Sequence, residues 1–385
     1  MSNKKIPKPV KLLSYVSLFT DIASEMLYPI TPIFLTSILG ASMSVVGALE
    51  GAAEIIAGFL KGYFGALSDK IKKRALFVKI GYALSAFSKP IPGIFPNISA
   101  VIGSRISDRI GKGMRTAPRD ALLASYAKGN TGAIFGFHRG MDTLGAALGP
   151  LLALALLHFY DNNYQLIFLI AFIPSLIAVT FTFLVKDNFT SDTKKGKNKY
   201  SEFWNSASSD FKVLLVLITV FSLVNSSDVF LILKSKSISG SSTLAILGYV
   251  FFNIVYAGFS YPLGKLSDKY GKKKIFVTGL FVFSLVYLGF AKLDSVYLLW
   301  ILFAFYGIYS ASTEGIVKAW VSDLIPDELR GTAIGLLTMC SSLAIMLGSF
   351  LAGVLWDQLG AEIPFLISSA VSFVIVLVMI FYNKL

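Results

Sequence analysis

The sequence predicts an all-α membrane protein with twelve transmembrane helices in two six-helix pseudo-repeats. Three observations predict this fold class. The 385-residue chain is 55% hydrophobic and only 15% charged, with a mean hydropathy of +0.70. Soluble domains carry about 25% charge, and one this poor in charge would expose large apolar patches. Apolar runs of about 20 residues, the length of a bilayer span, recur along the whole chain. Finally, the chain repeats itself. "GALSDKIKKR" from Gly65 and "GKLSDKYGKKK" from Gly264 stand 199 positions apart. "GAIFGFHRGMDTLGAALGP" and "GTAIGLLTMCSSLAIMLGS" match at the same shift, with Gly132, Gly136 and Gly149 opposite Gly331, Gly335 and Gly348. Two unrelated stretches with one offset indicate a six-plus-six duplication.

The predicted spans lie near 11–38, 43–67, 75–92, 97–118, 132–157, 163–185, 211–233, 242–267, 275–291, 297–320, 332–356 and 361–382. Period-2 alternation is absent and the runs are too long for barrel strands. The first span follows a basic segment, lacks a small-residue cleavage site and is interrupted by Asp21, so it reads as a retained helix and not a signal peptide. The stretch "KDNFTSDTKKGKNKYSEFWNSASSD" reads as a flexible linker with a short interfacial helix at "EFW". The expected domains are therefore 1–185, a linker over 186–210, and 211–385.

Basic residues set the orientation. Lys4, Lys5, Lys8 and Lys11, then Lys70, Lys72, Lys73 and Arg74, fall on one side. The middle linker (Lys186, Lys194, Lys195, Lys197, Lys199) and Lys269, Lys272, Lys273 and Lys274 fall on the same side. The alternate connections hold few, with Lys234 and Lys236 the exception. Both termini are thus expected in the cytoplasm of a multi-pass protein, with a bacterial inner membrane as its site. This asymmetry accounts for a net charge of +13 without nucleic acid as a partner. The expected partners are a small-molecule substrate, protons and the lipid bilayer, and the chain is expected to be monomeric.

Several classes are excluded. A single cysteine, Cys340, permits no internal disulfide. No Cys/His cluster offers a metal site, and no cofactor is indicated. "GKGMRT" lacks the phosphate-loop pattern of nucleotide-driven pumps. No nucleophile–base constellation suggests an enzyme.

The most informative segment is "SRISDRIGKGMRTAPRD" at 104–120. Its start occupies the slot that the 199-residue shift matches to "LWILFAFYGIYS", an apolar span. From a helix start near residue 97, the helical rise puts Arg105 about 12 Å and Asp108 about 16 Å deep. Lys112 and Arg115 approach the cytoplasmic interface, and Arg119 and Asp120 lie at or beyond it, where positive-inside bias and snorkelling suffice. Pro118 is expected to bend or end this helix.

With these residues in hand, the sequence resembles the major facilitator superfamily of secondary transporters. The family's loop signature between its second and third helices is met fully by Gly264, Asp268, Gly271, Lys272 and Lys273. Gly65, Asp69, Lys73 and Arg74 meet it in the first copy, where Lys72 replaces glycine. "GAALGPLLAL", with Gly145, Gly149 and Pro150, resembles in part the fifth-helix signature of proton-coupled exporters. The resemblance implies two six-helix bundles around a cavity lined by helices 1, 4, 7 and 10, with alternating access. It also implies that Asp69 braces a closed gate against the start of helix 11, "RGTAIG", where a helix N-terminus favours an anion. His138, Arg139 and Asp142 are expected to join that network.

Asp21 and Glu25 lie four apart on helix 1, near mid-membrane. Buried carboxyls in proximity suit a proton-carrying site. Arg105 and Arg109 form a matching basic face on helix 4. A ring of Asp21, Glu25, Arg105, Arg109 and Asp108 is therefore expected to handle protons and an anionic substrate group. Glu50 and Glu54 form another pair, read as structural or gating. Asn225 and Asp228 on helix 7, and Tyr306, Tyr309 and Glu314 on helix 10, are the candidates for a mostly apolar opposite wall. The expected function is proton-coupled export of an amphipathic or anionic organic solute. The alternatives are import of an anionic nutrient or metal chelate, and lipid translocation.

Overall fold

The computed structural model describes residues 5–28, 30–41, 43–160, 163–188 and 200–382. Lys4 and the linker residues Lys194, Lys195, Lys197 and Lys199 lie outside the described residues, as does the side chain of Glu50. Helices occupy every predicted stretch, and no strand occurs among the described residues. The principal ones are α1 (Lys8–Leu27), α2 (Met43–Ile71), α3 (Arg74–Ser88), α4 (Ile98–Ser125), α5 (Thr131–Phe159) and α6 (Tyr164–Ile170 and Phe172–Thr182), with short helical turns at Ile30–Ile33, Phe34–Ile38 and Ile91–Ile94 between them. There follow α7 (Ser209–Val224 and Val229–Ser239), α8 (Ser242–Tyr270), α9 (Lys272–Lys292), α10 (Val296–Leu324), α11 (Arg330–Leu359) and α12 (Glu362–Phe381). A short helix at Tyr200–Ser206 contains the "FW" of the expected interfacial segment. Among the described helices, α5, α6, α9, α10, α11 and α12 are long and apolar enough to cross a membrane by length and composition alone. Of the others, α3 and the two pieces of α7 are short, and α1, α2, α4 and α8 carry charge within their length, α4 most of all. Large apolar side chains such as Phe159, Phe183, Phe350 and Phe381 are exposed, as a surface in contact with lipid requires.

Local chemistry fixes the helix ends. Asn97 caps α4 by accepting from the Ala100 amide at 2.9 Å, and Ser208 caps α7 at the Phe211 amide. Gly240, with φ +65°, ends the second piece of α7. Helix α7 breaks between Val224 and Val229, and neighbouring side chains satisfy the freed backbone groups. Ser349 Oγ accepts from the Ser227 amide at 3.0 Å, and Ser368 Oγ donates to the Val224 carbonyl at 2.6 Å. The turns of the two signature loops differ in the residue that takes a positive φ. Gly271 has φ +97°, whereas its counterpart Lys72 takes φ +57° with a full side chain. A left-handed conformation costs an L-residue about 1–2 kcal/mol.

Contacts divide the chain into two compact units. The first comprises Met1–Ala127, Met141–Asn205 and Pro326–Met339; the second comprises Lys128–Gly140, Ser206–Ile325 and Cys340–Leu385. Each unit thus includes the opening turns of a helix from the other half of the sequence, α11 in the first and α5 in the second. In the first unit α4 packs on α2 and α3; in the second α10 packs on α8 and α9. The duplication is therefore legible in packing as well as in sequence. Residues 186–188 remain tied to the first unit. Asp187 Oδ1 accepts from the Ala75 amide at 2.9 Å, and Tyr126 donates to the Lys186 carbonyl at 2.6 Å.

Helix α4 departs from expectation at its end. It runs through Pro118 to Ser125, so the proline does not terminate it. Arg115, Arg119 and Asp120 do not snorkel; all three are buried. Arg119 and Asp120 hold each other, and a tyrosine of α3 covers Arg115. Arg119 pairs with Asp120 at 2.9 Å, and the Arg115 guanidinium lies 4.3 Å from the Tyr82 ring centroid.

Candidate functional site

The first unit concentrates ionisable groups on α1, α2, α4 and α5. Asp21 is within hydrogen-bonding reach of Asp142 on α5. Glu25 is in the electrostatic range of Lys112, Arg109 and Arg105 on α4. Arg109 lies 3.5 Å from Glu54, whose side chain is 50% exposed, and 3.8 Å from Asp108. Arg105 also stands 6.0 Å from the Tyr28 ring. Lys112 is accessible to water, while Asp21, Glu25 and Arg105 are half-buried.

The approach of α1 to α5 depends on two glycines. A Cβ on Gly145 would stand 2.5 Å from the Leu18 carbonyl oxygen and 3.1 Å from the Asp21 Cβ. One on Gly149 would stand 2.7 Å from the Glu25 Cβ. Asp142, Gly145 and Gly149 lie at i, i+3 and i+7, on one helix face. The exporter-like signature is therefore the surface that seats α5 on the acidic face of α1.

The expected ring is assembled in part. Asp108 turns away from α1 towards the end of α3, where it meets Lys89 at 3.0 Å and accepts a hydrogen bond from Ser85. Its charge is already matched there, so it reads as a brace. Beside it a cavity of about 30 Å³ is lined by Ser24, Thr31, Lys89, Ser104, Arg105 and Asp108, room for about one or two waters. Sequence reasoning missed Lys89 as a member of this cluster, and it set Asp142 in a gate network. The signal for Asp142 was available: it is a carboxylate on the glycine face of an apolar helix.

In the second unit, the break in α7 holds Asn225 and Asp228. Tyr306 donates to Asp228 at 2.6 Å. Tyr309 is buried and packs on Phe283, with ring centroids 4.7 Å apart. Glu314 pairs with Arg139 at 2.7 Å, and Arg139 also donates to the Tyr256 hydroxyl at 2.5 Å. The wall expected to be mostly apolar thus has its own charged cluster, because α5 brings Arg139 into it.

The signature loops form two further clusters. In the first unit Asp69 accepts from the Thr332 amide at 2.7 Å and its hydroxyl at 3.0 Å. Arg74 bridges Asp69 at 2.9 Å and Asp327 at 3.1 Å. Gly65 packs on Gly331, where a side chain on either would collide with the other's carbonyl. In the second unit Asp268 accepts from the Gly132 and Ala133 amides, each at 2.8 Å. Gly264 packs on Gly132. Lys272 bridges Asp268 at 3.3 Å and Asp323 at 2.6 Å. Lys73 begins α3 and is exposed. No His/Cys/Asp/Glu group suited to a metal ion occurs among the described residues.

A duplicated helical bundle with an apolar surface and ionisable groups within its helices has the build of a multi-pass membrane transporter. The Major Facilitator Superfamily profile matches residues 13–251 and 215–384, and the chain belongs to that superfamily. It is 34% identical to an uncharacterized MFS-type transporter of Methanocaldococcus jannaschii, over 99% of this chain and 96% of that protein. It is 23% identical to a multi-drug resistance efflux pump PmrA homolog of Lactococcus lactis, over 87% and 86% of the two chains. Its fold is similar to that of the human organic anion transporter MFSD10, with a TM-score of 0.81 at 16% identity, covering 97% of this chain and 100% of that one. The proton:xylose symporter XylE superposes with a TM-score of 0.76 at 16% identity, covering 97% and 95%.

Proposed function

We propose that this transporter exports a small amphipathic organic solute with an anionic group, by proton-coupled alternating access. The observation that carries this reading is the cluster of accessible ionisable groups on α1 and α4 of the first unit. Glu25 there faces three cations, and Asp21 sits beside a second carboxyl. Asp21 and Glu25 carry the proton. Arg105, Arg109 and Lys112, at i, i+4 and i+7 on one face of α4, receive the anionic group. Intramembrane charges of both signs are costly unless they serve such a path. Asp228, Asn225 and Glu314 are the polar groups the second unit contributes, with Tyr306 orienting Asp228. Gly65, Asp69 and Arg74, and likewise Gly264 and Asp268, act as latches in the transport cycle. Both termini face the cytoplasm, and the protein works as a monomer in the inner membrane. Likeness to an efflux pump homolog and the Gly145–Gly149–Pro150 signature support the outward direction.

The test uses purified protein in liposomes with an imposed pH gradient. Labelled amphipathic anions, preselected by thermal shift, serve as probes. Wild type is expected to accumulate a probe against its gradient, and Asp21→Asn to lose that accumulation by about 10²-fold, the usual effect of removing a proton-transfer group. Accumulation in symport with protons instead would reverse the direction assigned here. Unchanged pH dependence in both Asp21→Asn and Glu25→Gln would remove α1 from the coupling.

A further inference from the structure

We infer that Asp142 on α5 shares a single proton with Asp21 on α1, and that Ser17 and Arg119 hold Asp142 as the accepting partner. The proposal rests on the proton coupling above and names the second half of its proton site. It follows from donor and acceptor counting. Two carboxyl groups can share a hydrogen bond only if one of them carries the hydrogen. Asp142 lies one turn before Gly145, where α5 approaches α1 so closely that a Cβ would stand 3.1 Å from the Asp21 Cβ, and the two carboxyls are within hydrogen-bonding reach. Ser17 has one hydroxyl hydrogen, and its oxygen already receives the Arg119 Nη1 donor at 3.1 Å. A guanidinium has no acceptor, so the Ser17 hydrogen must point elsewhere. It points to Asp142 Oδ1.

Asp142 Oδ1 thus accepts from Ser17, which favours Asp142 as the accepting member of the pair and places the shared proton on the Asp21 side. Arg119 is itself fixed. It donates from Nε to Asp120 at 3.0 Å and from Nη1 to the Tyr82 hydroxyl at 3.3 Å. Ser17, Tyr82, Arg119, Asp120 and Asp142 are all buried. The chain from Asp120 through Arg119 and Ser17 to Asp142 thus joins α4, α1 and α5 within one unit. Other charged groups facing the pair are Glu25 on α1 and Lys112 on α4; Lys112 is also in range of Glu54 on α2. Asp142 is the proton-sharing group, and Ser17 and Arg119 are positioning residues.

The experiment needs no transported solute. The carbonyl stretch of a protonated carboxyl is followed by infrared difference spectroscopy of purified protein during a pH titration. Wild type is expected to show one such band that disappears as pH rises. The band should be absent in both Asp21→Asn and Asp142→Asn and retained in Glu25→Gln. In Ser17→Ala it should persist to higher pH, because Asp142 loses a donor to its charged form, and Ser17→Thr should restore the wild-type midpoint. A band that survives Asp142→Asn, or a Ser17→Ala midpoint identical to wild type, overturns the proposal. If Asp142→Asn fails to give monodisperse protein, the Ser17→Ala and Ser17→Thr titrations decide it. The expected bands without any effect of a pH gradient on transport would uphold the shared proton and overturn the coupling.

Discussion

The two signature-loop clusters use one geometry with different chemistry. Asp69 and Asp268 each end a helix and each accept amide hydrogens from the first turn of another, α11 or α5. Each also meets a base that reaches a second acid. In the first cluster the base is Arg74, and both it and Asp69 have no side-chain exposure. In the second it is Lys272, whose further partner Asp323 is 41% exposed. The mid-helix clusters differ far more. Around α1 and α4 stand Asp21, Glu25, Arg105, Arg109 and Lys112, whereas α7 and α10 offer Asp228, Glu314 and buried tyrosines. Duplication has kept the backbone-driven latch and let the ionisable interior diverge. A helix N-terminus accepts any carboxylate, but a proton site needs particular neighbours.

Stability measurements in mixed micelles can break or sharpen this comparison. The largest effect is expected from Arg74→Met. It strips the partner from a buried carboxylate and should cost about 3–5 kcal/mol of unfolding free energy. Next, Gly271→Lys forces a side chain into a conformation strained by about 1–3 kcal/mol. Lys272→Met should cost less than Arg74→Met, about 1–2 kcal/mol, because Lys272 and Asp268 are mostly buried but the further partner Asp323 is exposed. Last, Lys72→Gly should stabilise by about 1 kcal/mol, by relieving the left-handed residue in the first loop. Equal losses for Arg74→Met and Lys272→Met would erase the asymmetry argued here.

Much of the fold was readable because hydropathy and duplication act over long stretches. The 199-residue shift marks both loop clusters in the sequence, since the glycine and aspartate spacing is kept in the two halves. The interior was harder. Asp108 and Arg105 lie three apart on α4, yet one turns to Lys89 and the other to α1. Spacing gives a face, while the neighbour on that face comes only from packing. Arg119 and Asp120 looked interfacial because depth was counted from one helix end; their mutual pairing keeps them inside. Asp142 was visible as a carboxylate in an apolar helix. Its partner Asp21 emerged only when Gly145 and Gly149 seated α5 on α1.

The central claim is that the ionisable interior of the first unit, and not that of the second, couples protons to transport. The most direct test measures pH-gradient-driven accumulation of one amphipathic organic anion in proteoliposomes carrying wild type, Asp21→Asn or Asp228→Asn. The account predicts that Asp21→Asn abolishes the gradient's effect while exchange of the anion between equal pH values persists, and that Asp228→Asn retains gradient-driven accumulation at reduced affinity. Full gradient-driven accumulation by Asp21→Asn, with loss in Asp228→Asn, would contradict it.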